Sequence, residues 1–143
     1  MKRIASIDYG LKRIGLAVSD ESKIIATSQG MVLAEKSSAL TIKRVLEALS
    51  SFELETIVVG LPLHLSGKTG FLADEVHHFV GLLEKEAPCP VVTFDERFST
   101  AQAERALREG NMSRKKRSKV IDTLSAVILL QNYLESISEK SYF

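Results

Sequence analysis

The chain has 143 residues, of which 45% are hydrophobic and 26% charged, with a formal net charge of +1. This is the profile of a soluble globular protein with enough apolar material for one sizeable core, so the sequence predicts a single domain over residues 1–143. No apolar run approaches the roughly 20 residues that span a bilayer, and one cysteine leaves no intrachain disulfide to form.

Residues 3–9 read as a strand, and Gly10 marks a turn before a second strand at 14–19. A third strand is expected within 23–33, rich in β-branched residues but broken by Gly30. Short links make these three an antiparallel meander. The period then changes: Ala39, Ile42, Val45, Leu46, Leu49 and Phe52 recur at helical spacing, predicting a helix over 38–52. "TIVVG" (56–60) reads as a strand buried on both faces. A loop over 61–69 and a helix over 71–86 follow, then a second buried strand, "PVVTF" (90–94), ended by "DER". Helical patterns at 99–109 and 119–136 lie on either side of a basic stretch expected to be a loop. The prediction is an α/β fold, a mixed five-stranded sheet with three antiparallel strands, then two parallel ones, and helices on its faces. Functional groups in such sheets gather at the carboxyl ends of the parallel strands. Those ends hold Asp8, the loop after Gly60, and "DER" at 95–97.

The basic Met-Lys-Arg start reads poorly as a signal peptide, because Asp8 interrupts the apolar stretch almost at once. The expectation is a cytoplasmic protein with no membrane association. Cys89, between Pro88 and Pro90, reads as an incidental buried thiol.

Asp8 is the anomaly, a carboxylate among strand-forming residues where an unpaired charge would be costly. Asp95 and Glu96 close the last strand, and since neighbours on a strand face opposite ways, only one of them shares a side with Asp8. Asp122 lies near the start of the last helix, on a face continued by Ser125 and Ala126, whose small size would let the helix lie close. Plainer roles exist. Asp122 in a first helical turn suits the helix dipole, and Asp95 and Glu96 could end a strand in solvent beside Arg97. Carboxylates converging at one edge repel one another, and a divalent cation relieves that repulsion. Oxygen ligands point to Mg²⁺ or Mn²⁺ rather than zinc. The histidines point nowhere else: His77 and His78 are adjacent on a helix, and His64 is alone in a loop. From Arg105 to Lys119 the chain carries a local charge of +6, which would hold a polyanion beside such metals.

The blocks "IDYGLKRIGLAVSD", "VVGLPLHLSGKTG", "DERFSTAQAE" and "KVIDTLSAVILLQNYLE" resemble the signature blocks of the YqgF/RuvX family, in matching order across nearly the whole chain. The resemblance implies a ribonuclease H-like fold and a metal-dependent nuclease that matures the 5′ end of pre-16S ribosomal RNA. It also implies, as an alternative, a Holliday junction resolvase in DNA recombination and repair. The family's acids fall on Asp8, Glu96 and Asp122 as catalytic and metal-binding residues. Two positions depart from the pattern. His64-Leu65-Ser66 stands where the family often has Asn-Met-Asp, and Leu11 replaces a commonly small polar residue.

The expected chemistry is two-metal phosphodiester hydrolysis. Lys12, Arg13, Arg97, Arg114, Lys115, Lys116 and Arg117 are candidate nucleic-acid contacts, although Arg97 fits a structural partner of a carboxylate equally well. A proton-transfer role for His64 competes with a simple backbone contact. Two rivals stand beside the nuclease. "DYGLKRIG" also resembles the phosphate hairpin of the actin and sugar-kinase superfamily, but that fold closes two domains around its nucleotide. A non-catalytic RNA-binding assembly factor would keep the basic run without needing all three acids. The partner is a nucleic acid in the leading reading, bound by a monomer or homodimer.

Overall fold

The structure is a computed structural model that describes residues 2–61, 71–95 and 114–141, without the side chains of 71–72, 114–123 and 139–141. Three strands open the chain: β1 (Arg3–Asp8), β2 (Arg13–Ser19) and β3 (Ala26–Leu33). They lead to helix α1 (Ser38–Ala48), strand β4 (Leu54–Leu61), helix α2 (Phe71–Glu86), strand β5 (Val91–Asp95) and the long helix α3 (Arg114–Ser141). The five strands form one sheet in the order β3-β2-β1-β4-β5. Both pairings within the meander are antiparallel, and β1–β4 and β4–β5 are parallel. The sheet is the one expected from the sequence.

Strand alternation divides β1 between two layers. Ala5 and Ile7 join Ile14, Leu16, Val18, Ile57 and Val59 beneath α1 and α2, which contribute Ile42, Val45, Val76, Phe79 and Leu83, with Leu49 added just after α1. Ile4 faces the other way, with Ala17 and Val58, onto Ala126, Leu130 and Leu134 of α3. Ser6 and Ala17 are cross-strand partners on that face. Their small side chains admit α3 closely enough for the Ser6 hydroxyl to donate a 2.7 Å hydrogen bond to the Ala126 carbonyl.

Local chemistry fixes the joints. Ser37 caps α1, its side chain accepting from the Leu40 N–H. This helix ends at Ala48 rather than 52, because Ser50 and Ser51 favour a turn, and Phe52 reaches the core from that turn. On β3, Gln29 and Gly30 together oppose one residue of β2, and Gly30 has φ +80°. This is a β-bulge of the kind that needs glycine. The side-chain amide of Gln131 clamps the β2–β3 hairpin, accepting from the Ala26 N–H and donating to the Ile24 carbonyl.

The main correction concerns the basic stretch. Residues 114–119, expected as a loop, form the start of α3. Lys and Arg are good helix formers, and a helical turn built from them shows no apolar periodicity in the sequence. The helix expected over 99–109 lies outside the described residues. Among the described residues no helix is long and apolar enough to cross a membrane.

Candidate active site

Asp8 ends β1 half-buried, on the face shared by Ile4 and Ser6, and therefore on the α3 side. Its cross-strand partner on β2 is Gly15. Extending the β1–β4 register by one residue beyond Ile7 and Val59 brings Gly60 level with it on the other side. The carboxylate thus stands between two positions that project no side chain. Glycine inside a strand is a mark of close approach by a ligand or backbone. Neither glycine stood out in the sequence, since each lies in an apolar run, and only the register puts them beside an acid.

The turn after Asp8 is held from three directions. Any Cβ on Gly10 would collide with the Arg13 carbonyl oxygen. The Tyr9 ring packs against Phe79 with centroids 4.8 Å apart. The Lys12 carbonyl accepts from the Ala34 N–H at 2.9 Å. Burial, with the negative charge of Glu75 adding to it, raises the Tyr9 pKa. Lys12 is exposed on this turn. Arg13 is half-buried at the start of β2, on the same face as Gly15 and hence as Asp8.

Phe94 packs edge-on against Tyr133 of α3, with centroids 5.6 Å apart. Alternation then turns Asp95, the last residue of β5, towards the opposite face from Asp8. Of the adjacent pair, Asp95 is therefore the one that does not share Asp8's side. Glu96, Arg97 and His64 lie outside the described residues.

Position 122 is in the third turn of α3, not at its start, and the first turn of this helix holds no acidic residue. The dipole role considered for Asp122 therefore does not apply. Its backbone lies one turn before Ala126, about 6 Å along the helix axis. From Ser6 to Asp8 is a similar step of about 6.6 Å along the strand. Since Ala126 contacts Ser6 while Gln131 bonds Ala26, the partner of Ser19, whose hydroxyl accepts from the Ile4 N–H, α3 runs back along β1. The helix backbone at 122 is thus level with the end of β1. The side chains of Asp122, Arg114, Lys115, Lys116 and Arg117 lie outside the described residues. Among the described residues, no three His, Cys, Asp or Glu side chains group as a metal site. His77 and His78 are exposed on α2. Cys89 is half-buried, and burial raises its pKa against the opposing charge of Lys2, leaving an unreactive thiol.

The sheet order and its flanking helices define a ribonuclease H-like fold. Two solved structures share it. One is the fowlpox virus resolvase in complex with substrate Holliday junction DNA, at TM-score 0.59 and 15% identity, covering 94% of this chain and 98% of that one. The other is Thermus thermophilus RuvC in complex with a Holliday junction substrate, at TM-score 0.53 and 20% identity, covering 96% of each. Residues 2–136 match the family model described as "RuvX: Holliday junction resolvase". A protein of Protochlamydia amoebophila (strain UWE25), named "Putative pre-16S rRNA nuclease", is 54% identical over 140 residues, covering 94% of this chain and 93% of its own length. A relative with the same name from Geobacillus sp. (strain WCH70) is 42% identical over 137 residues, covering 94% and 98%. The chain belongs to the RuvX/YqgF family, a family of nucleases that hydrolyse phosphodiester bonds.

Proposed function

We propose that this chain is a metal-dependent nuclease that matures the 5′ end of precursor 16S ribosomal RNA in the cytoplasm, acting as a monomer or homodimer. The observation that carries the reading is Asp8, a half-buried carboxylate at the carboxyl end of β1, flanked by Gly15 and Gly60 and faced by α3. A carboxylate whose two strand neighbours are glycines, with no side chain set beside it by either, suits a hydrated hard cation with oxygen ligands. Asp8, Glu96 and Asp122 are the residues that would hold Mg²⁺ or Mn²⁺. Such ions, when bound, supply an activated water and stabilise the leaving oxygen.

The chain's own residues position the substrate. Lys12, on the turn fixed by Gly10, and Arg13 stand at the same end of the sheet as Asp8 and suit phosphate contacts, with Arg97 beside Glu96 in sequence. The positive end of α3 adds its unpaired backbone N–H groups to the charges of Arg114, Lys115, Lys116 and Arg117, a combination suited to a polyanion. Positive charge in a first helical turn opposes the dipole and weakens an isolated helix, so an anionic partner gives this run a reason.

The reading is tested on a precursor 16S fragment with its 5′ extension, with a four-way DNA junction as the comparison substrate. Wild type with Mg²⁺ or Mn²⁺ is expected to cleave the RNA. Asp8→Asn should lose more than roughly a hundredfold in rate, beyond the usual effect of residues that only support a metal site, while still binding the RNA. Equal cleavage by both proteins would place the activity elsewhere. Cleavage of the junction alone would give the site to branched DNA.

A further inference from the structure

Ser6 is a hydroxyl in an apolar layer. It is fully buried, between Ile4 and Asp8 on the α3 face of β1, and its neighbours on that face are Ile4, Ala17 and Val58. Its Oγ donates to the Ala126 carbonyl at 2.7 Å, across 120 residues of sequence. Ala126 is in mid-helix, where a carbonyl already accepts from the N–H four residues on. The helix does not need this bond to satisfy its backbone.

The bond supplies direction instead. Apolar contact is non-directional, so the level of α3 is set by its directional bonds: this one, nearer the candidate site, and those of Gln131 to Ala26 and Ile24, five residues further along the helix. A hydrogen bond fixes both its level and its rotation. The two ends of this bond are also the two ends of the candidate site: Asp8 is two residues beyond Ser6 on the strand, and position 122 is one turn before Ala126. A one-residue slip of α3 would move position 122 by about 1.5 Å and turn it by about 100° relative to the end of β1.

We propose that Ser6 is a positioning residue, setting the register of α3 on β1 and thereby the spacing of the carboxylates at 8 and 122. This rests on the assignment of Asp8 and Asp122 as metal ligands. The test is Mn²⁺ binding, measured by calorimetry on the full chain for wild type, Ser6→Ala, Leu134→Ala and Asp8→Asn. Leu134 packs on the same face two turns further along α3, so its truncation loosens that face without touching the bond.

Ser6→Ala is expected to weaken Mn²⁺ binding by roughly tenfold, in the range of other residues that orient metal ligands, with RNA affinity unchanged. Leu134→Ala should lower the melting temperature more and Mn²⁺ affinity less. If Ser6→Ala binds Mn²⁺ like wild type while Asp8→Asn has lost it, the positioning role is overturned and the site stands. If Ser6→Ala and Leu134→Ala lose Mn²⁺ affinity in proportion to their loss of stability, Ser6 is a structural residue only. If Asp8→Asn also binds like wild type, the site assignment falls with it.

Discussion

The sheet is covered in two different ways. Beneath α1 and α2, Ile7, Ile14, Leu16, Ile57 and Val59 meet Val45, Leu49, Phe79 and Leu83, large side chains buried almost without remainder. Beneath α3 the strands offer Ser6, Ala17 and, at one end, Gly15 beside Asp8, and among the described residues the buried apolar side chains there are fewer. The first face maximises apolar burial, the main favourable term in folding. The second carries small side chains that let one helix lie close to the sheet and pass the carboxylate at the end of β1. Apolar burial and placement of the candidate site thus fall on opposite sides of the same strands.

Truncation should separate the two faces most plainly. Leu16→Ala leaves a void in the layer beneath α1 and α2 and is expected to cost about 2–5 kcal/mol of unfolding free energy in urea titration, with specific activity per folded molecule unchanged. Loss of activity in excess of lost folding would show that the layers are not independent. A smaller effect is expected from charge. Replacing Arg114, Lys115, Lys116 and Arg117 by Gln should flatten the salt dependence of RNA binding by close to one unit of log–log slope for each phosphate no longer neutralised. Replacing Lys43 and Lys85, on the α1 and α2 side, should leave the slope alone. Equal flattening by both sets would make the basic start of α3 an ordinary solvated surface.

The smallest effect belongs to the hairpin at the other end of the sheet. Asp20 accepts hydrogen bonds from the N–H groups of Ile24 and Ile25 and from the Ser22 hydroxyl, which lower its pKa from 3.8 to about 2. A carboxylate with a depressed folded pKa contributes stability that is full above the unfolded value and disappears as pH falls through the folded one. Denaturation midpoints of wild type should therefore fall relative to Asp20→Asn as pH drops from 3.8 towards about 2. Activity near neutral pH should not change. A gap between the two proteins that stays constant over that range would remove Asp20 as its source.

Much of this was legible from residue order. The continuous apolar run at 56–60 is a strand buried on both faces, and the predicted bounds of the 71–86 helix match those observed. The run at 90–94 is a strand but not a doubly buried one: it is the outer strand of the sheet, with Thr93 exposed, because an apolar run does not say whether a further strand will pair beside it. Asp8 announced itself because a carboxylate inside a strand requires a reason. The beginning of α3 was hidden because its first turns carry no apolar stripe, and periodicity was the signal being read. That error also gave Asp122 a dipole role which its place in the third turn removes. Gly15 and Gly60 were hidden differently. Each is unremarkable along the chain, and what matters is that strand pairing sets them on either side of Asp8, a non-local fact that no local pattern carries.

The bulge at Gly30 bears on how the molecule meets others of its kind. β3 is an outer strand, and Met31 and Leu33 are exposed on it, with Ile24 and Ile25 exposed in the turn that leads into it. A straight outer strand so apolar would be an open template for another strand. Gln29 and Gly30 put a kink midway along it, breaking the run of evenly spaced backbone groups that a partner strand would have to match. What guards this edge against aggregation is its crookedness more than its polarity.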